Sequence, residues 1–142
     1  MMKTNIKWNG KLAFSGIAPS GHEIKMDTAE SLGGENSAPT PVELLLNAVA
    51  GCTAIDIVLI LEKMRLTLTS FEVEIDGERA KEHPKRFTDI HLHYILGGEL
   101  DTEKVKKAIK LSKDKYCSVA HSLNSTITAS FTINGTKSDE IL

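Results

Sequence analysis

The chain has 142 residues, 41% of them hydrophobic and 25% charged, with a formal net charge of −2. That length fits one domain spanning 1–142 with a core of its own, and the near-balanced charge supplies no basic field for nucleic acid. The opening MMKTNIKWNG has neither the apolar stretch nor the small-residue cleavage site of an export signal, so a cytoplasmic protein with both cysteines reduced is expected.

Short strands are predicted at Ile6–Trp8, Leu12–Ser15 and Glu23–Asp27, with Asn9-Gly10 as a hairpin signal between the first two. A Gly33-Gly34 loop follows. Thr40-Pro41-Val42-Glu43 then reads as a capping box: Thr40 at the N-cap, Pro41 in the first helical position, Glu43 reaching back to the N-cap amide. The helix it opens should run to about Met64 or Arg65. Its apolar stretch from Val42 to Leu61 is long enough to cross a bilayer. Glu43, Asn47 and Asp56 oppose that, since a mid-bilayer carboxylate costs at least about 2.5–3.5 kcal/mol. The reading is a core helix buried on all sides, and no membrane.

Downstream, Phe71, Val73 and Ile75 alternate with acidic residues, and Ile90, Leu92, Tyr94 and Leu96 alternate with His91, His93 and Ile95. Both runs are strands with one face on a core. The histidines are expected on the exposed face, and Gly97-Gly98 is expected to end the second strand. An amphipathic helix comes next, with Val105, Ala108, Ile109 and Ser112 on one stripe and lysines opposite. A short helical piece, Ser118–Leu123, leads to a last strand in which Ile127, Ala129, Phe131 and Ile133 face inward. The order βββ-α-ββ-αα-β is that of an α+β domain.

Chemistry centres on the two cysteines. Successive helical residues are about 100° apart, so Asp56, four after Cys52, shares its face, whereas Glu43 lies roughly opposite. An ordinary thiol is only about 3% ionised at pH 7, and burial or a nearby carboxylate lowers that fraction. A reactive Cys52 therefore needs a partner. His121, one helical turn after Cys117, could supply a proton or a charge, and Cys117 at the start of a short helix would gain from exposed backbone amides. The bland alternatives are a packing cysteine and a buried carboxylate tied to backbone or to a partner subunit. Nothing matches the paired spacing of structural zinc sites, and no phosphate-cradling glycine loop or serine elbow is present, so neither a metal nor a cofactor is expected.

Thr40-Pro41-Val42-Glu43-Leu44-Leu45-Leu46, Ala50-Gly51-Cys52-Thr53-Ala54-Ile55-Asp56 and Lys115-Tyr116-Cys117-Ser118-Val119 resemble the OsmC/Ohr family of thiol peroxidase-like proteins, more closely its OsmC-like branch. The Gly33-Gly34 loop and Gly77-Glu78-Arg79, with Pro84 and Phe87, extend the likeness over nearly the whole chain. The resemblance implies an intertwined homodimer with active sites at the subunit interface. It also implies an antioxidant role in which Cys52 attacks an organic hydroperoxide, Cys117 resolves the sulfenic acid as a disulfide, and a dithiol, lipoyl in some members, restores both thiols. Peroxidases of the Ohr branch hold the thiolate with an N-terminal arginine, whereas Arg65, Arg79 and Arg86 all follow the central helix here. Their partner glutamate falls at Val42, one residue before Glu43. A second reading therefore stands beside the first: a non-catalytic or redox-sensing protein that binds a small hydrophobic ligand.

Overall fold

The computed structural model describes residues 1–142, which form two compact units, 1–45 and 46–142. In the first, β1 (Asn5–Trp8), β2 (Phe14–Ile17) and β3 (Glu23–Met26) make an antiparallel sheet in the order β1-β2-β3. The Asn9-Gly10 hairpin is present, but its loop is longer than predicted. Asn9 N–H bonds Ala13 O at 2.8 Å, with Gly10 and Lys11 at φ 101° and 47°. Leu12 therefore lies in the turn, and β2 starts at Phe14.

The loop after β3 is organised by Asp27, which is buried. Its carboxylate accepts from the Ser37 hydroxyl at 2.6 Å and from the N–H groups of Thr28, Ser37 and Glu35. Gly34 passes so close that a Cβ there would stand 2.2 Å from Thr28 O and 2.8 Å from Asp27 Oδ1, which accounts for the second glycine of the pair. The Ser37 hydroxyl, then the Thr28 N–H, hold the Asp27 carboxyl down at about 2, against the opposing pull of burial. A carboxyl whose pKa is depressed on folding contributes stability above its ordinary value near 4, and that contribution is lost as the pH falls through about 2. Asp27→Asn is accordingly expected to lower stability at pH 7 and to flatten the fall in urea midpoint between about pH 4 and pH 2.

Helix α1 (Pro41–Lys63) starts where the capping box places it. Glu43 N–H bonds Thr40 Oγ1 at 3.2 Å, and the Thr40 hydroxyl returns a bond to Glu43 Oε1 at 2.9 Å. Glu43 thus grips the threonine side chain and not the N-cap amide. At the other end Arg65 takes φ 61°, with Arg65 N–H on Glu62 O and Leu66 N–H on Leu61 O, the pairing of a Schellman stop.

The second unit is a four-stranded sheet in the order β4-β5-β6-β7, carrying the rest of α1. β4 (Thr67–Arg79) and β5 (Phe87–Glu99) form a long hairpin, and β6 (Thr126–Ile133) pairs parallel to β5, with β7 (Thr136–Lys137) on the edge. β5 runs through Gly97-Gly98 instead of ending there. A Cβ on Gly97 would lie 2.3 Å from Ser70 Oγ, beside a register shift between Leu68 and Ser70, so these glycines mark a bulge. The crossover to β6 holds α2 (Thr102–Leu111), capped by Asp101, a widened π turn (Ser112–Tyr116) and α3 (Ser118–His121). The predicted order holds, with β7, the π turn and a 3₁₀ turn at Glu30–Leu32 added.

Val49, Thr53, Ile57 and Leu61 recur every four residues on α1 and are fully buried, together with Leu92, Tyr94, Val105, Ala108, Ile109 and Ala129. The expectation that α1 is covered on all sides is not met within the chain. Ile55 and Leu59 are 63% and 50% exposed, and only 28% of the most apolar stretch of the helix is buried. By length and composition α1 could cross a membrane, but one of its faces is committed to this sheet. His91 and His93 also differ from expectation, being half-buried. The parallel pairing of β6 brings up a row of hydroxyls, so that Thr128, His91, Ser130, His93 and Thr132 form a continuous chain of contacts between 2.6 and 2.9 Å.

Candidate active site

Cys52 sits midway along α1 and is half-buried, while Cys117, at the junction of the π turn and α3, is fully buried; both are free thiols. The two thiols are neighbours, close enough that Cys52 raises the Cys117 pKa. Cys117 Sγ also caps α3, accepting the Ala120 N–H at 3.3 Å. Burial first, and then the neighbouring Cys52 thiol, push the Cys117 thiol up to about 11. The Ala120 N–H pulls the other way, as the expected effect of exposed amides would, but does not prevail. Cys117 therefore keeps its proton at neutral pH.

The π turn sets the register of this face. Cys117 N–H bonds Ser112 O at 2.8 Å, five residues back, so Ser112 and Cys117 stack on one side of a turn wider than an α-turn. Opposite them, α1 presents Asp56 and Cys52, four residues apart. The Ser112 hydroxyl reaches Asp56 Oδ2 at 2.9 Å and Thr53 O at 3.2 Å, one rung away from the cysteine pair. With ordinary α-helical spacing Lys113, not Ser112, would stack with Cys117. The widened turn thus places a small buried hydroxyl against Asp56 and Cys117 against Cys52.

Of the other sequence-predicted residues, Asp56 belongs to this cluster through Ser112. His121 is exposed; its backbone N–H bonds Cys117 O at 3.1 Å, and its ring makes no hydrogen bond to either sulfur. The Glu43 carboxylate is engaged by Thr40 at the start of the helix. Arg79 and Arg86 are tied down at the β4–β5 loop, on Lys85 O and Phe87 O, while Arg65 closes α1. Sequence reasoning placed Ser112 on the apolar stripe and Tyr94 on the inward face of β5 without seeing that both reach this site. Tyr94 is fully buried, its hydroxyl makes no hydrogen bond, and burial pushes its ionisation upward.

Fold and site together define an α+β protein whose two thiols meet between a central helix and a β–β crossover. Residues 34–132 match the family model described as OsmC-like protein. Protein YhfA of Escherichia coli K12 is 42% identical over 127 residues, covering 89% of this chain and 92% of the relative. The chain belongs to the OsmC-like family. A solved hypothetical protein from Aquifex aeolicus VF5 is similar at 26% identity and a TM-score of 0.83, over 94% of this chain and 96% of that one. An organic hydroperoxide resistance protein OsmC from Legionella pneumophila shares the fold at 14% identity and a TM-score of 0.68, over 94% and 96% of the respective chains.

Proposed function

We propose that the chain is a thiol-dependent hydroperoxide reductase with Cys52 as the attacking sulfur and Cys117 as the resolving one. The observation that carries this is that the chain's two free thiols, one half-buried on α1 and one fully buried at the start of α3, are neighbours. The Cys52 thiolate attacks the distal oxygen of ROOH; the O–O bond breaks, alcohol departs with a proton, and Cys52 becomes a sulfenic acid. The sulfur of Cys117 then bonds that of Cys52, the S–O bond breaks, and the Cys117 proton leaves with hydroxide as water. An external dithiol reduces the disulfide. The organic hydroperoxide resistance proteins that share this fold support the reading at the level of redox chemistry.

A second copy of the chain belongs to the same proposal. Gly51, Ile55 and Leu59 form a four-residue repeat on the side of α1 away from Val49, Thr53, Ile57 and Leu61. Ile55 and Leu59 are left open, and nothing in the chain lies within 4 Å of where a Gly51 Cβ would be. Helical glycine costs about 1 kcal/mol relative to alanine, so a flat, apolar stripe beside Cys52 suits close approach by a partner helix. We read the assembly as a cytoplasmic homodimer.

Steady-state reduction of cumene hydroperoxide with dihydrolipoamide or dithiothreitol as reductant tests the activity. Saturable turnover well above the reductant-only rate is expected. Absence of turnover, combined with an apolar molecule retained through purification, would favour ligand binding. The engagement of Arg79 and Arg86 far along the chain from Cys52 is the observation on that side.

A further inference from the structure

The row of side chains on the outer face of β5 and β6 takes no part in the cysteine chemistry. His91 Nδ1 lies 2.7 Å from Thr128 Oγ1, and His91 Nε2 lies 2.8 Å from Ser130 Oγ. His93 Nδ1 lies 2.6 Å from the same Ser130 Oγ, and His93 Nε2 lies 2.9 Å from Thr132 Oγ1. Every ring nitrogen is engaged, and the hydroxyl that both rings share is 2% exposed. A neutral imidazole offers one N–H and one acceptor nitrogen, and a serine has one hydrogen to donate. With both rings neutral, the four contacts are filled and the Ser130 hydrogen is used only when the bonds run in one direction along the row. Ser130 then accepts from one ring and donates to the other, and both rings carry their hydrogen on the same-named nitrogen. One added proton keeps that count, because the charged ring donates at both ends and Ser130 still donates to the neutral one. A second proton makes both rings donate to Ser130. Its own hydrogen is then left without an acceptor in the row, and two cations meet across one buried oxygen.

We propose that His91, Ser130 and His93 form a one-proton clasp that makes the hold of β6 on β5 sensitive to pH. The two strands are those joined by the crossover that carries Cys117, so the clasp ties together the elements at either end of it. The surrounding charges are Asp76 opposite His91 and Glu74 opposite His93 on β4, Glu72 opposite Ile95, Asp89 with Glu78 opposite, and Lys137 of β7 opposite Thr132. All of them are exposed, so water and salt screen their pull on the rings, whereas the shared hydroxyl is shielded. The folded row takes one proton, but both rings are free to charge once β6 has parted from β5. As the pH falls through the ordinary histidine range near 6.5, the parted state binds one proton more, and its population should rise by up to about tenfold per pH unit. The inference does not depend on the peroxidase reading.

Imidazole nitrogen NMR of the whole protein between pH 8 and pH 5 reads the clasp directly. At pH 8 His91 and His93 should show the same tautomer, and by pH 5 the pair should have taken up one proton between them. Different tautomers in the two rings, or two protons taken up, would overturn the proposal. Amide hydrogen exchange of β6, corrected for the intrinsic chemical rate at each pH, reads the consequence. Opening should increase between pH 7 and pH 5 in the wild type and stay nearly level in His91→Gln. There the glutamine amide can turn to accept from Ser130, which leaves His93 free to charge in the folded chain. His22, His83 and His121 are exposed and common to both proteins, so the difference between the two profiles belongs to the row. Equal profiles, or a wild type whose β6 opening ignores pH, would overturn the clasp.

Discussion

Cys52→Ser is expected to abolish hydroperoxide turnover, by at least about a thousandfold, whereas Cys117→Ser is expected to react once and stop. The asymmetry follows from the two environments. Cys52 is the half-buried sulfur, the one a hydroperoxide could reach, while Cys117 is fully buried with Cys52 as its neighbouring thiol. Without Cys117 the sulfenic acid has no thiol to condense with, and it should be trapped by dimedone or proceed to sulfinic acid under excess peroxide. A pH dependence comes with the same geometry. Only the thiolate attacks, and the Cys117 thiol is pushed up to about 11, so the closing step should accelerate about tenfold per pH unit across the neutral range. Rapid quench with mass spectrometry would read both steps. Equal closure rates at pH 6 and pH 9 would show that Cys117 is not the group that limits it.

Ser112→Ala is expected to lower stability by about 1–3 kcal/mol, although it removes a single oxygen atom. The substitution removes the donor that reaches Asp56 Oδ2 and Thr53 O and leaves a half-buried carboxylate facing a methyl group. Asp56 keeps some access to water, which holds the cost below that of a fully buried orphan charge. The double substitution Asp56→Leu with Ser112→Ala should recover part of the loss, since no unpaired carboxylate remains. The single change is also expected to slow disulfide closure, because Ser112 anchors the π turn that holds Cys117 in register with Cys52. Urea denaturation of the four corners of this cycle gives the coupling. Additive losses would mean that the Ser112–Asp56 bond contributes nothing of its own.

The extent to which the sequence announces this site can be followed residue by residue. The four-residue spacing of Cys52 and Asp56 places them on one helical face, and the structure uses that face. The same logic applied to Cys117 and His121 points the wrong way along the chain, because the elements there do not share one helical period. Cys117 is aligned with Ser112 five residues back through a π turn, and that widening has no signature in Ser112-Lys113-Asp114-Lys115-Tyr116. Ser112 itself is visible as the one polar member of an apolar stripe, but its partner lies 56 residues away. Tyr94 is legible as inward-facing from the alternation of β5, though not as unbonded, since that depends on where α1 crosses the sheet.

Other differences share a physical cause. A helix apolar on every side reports that all of it is to be covered, and not by which chain. The sheet takes the stripe of Val49, Thr53, Ile57 and Leu61 and leaves Ile55 and Leu59 exposed. Period-two alternation assigns His91 and His93 to the outer face of β5 correctly. It is silent on the hydroxyl row of β6, whose parallel register ties both rings down. Gly97-Gly98 shows that paired glycines in an extended run can mark a bulge as readily as an end.

The central claim is that Cys52 and Cys117 act as one redox pair. Its most direct test is thiol counting with intact mass and non-reducing peptide mapping after one equivalent of cumene hydroperoxide. Loss of both free thiols, loss of two hydrogens in mass and a peptide joined through Cys52 and Cys117 are predicted. Two thiols still free, with the mass unchanged, would contradict it.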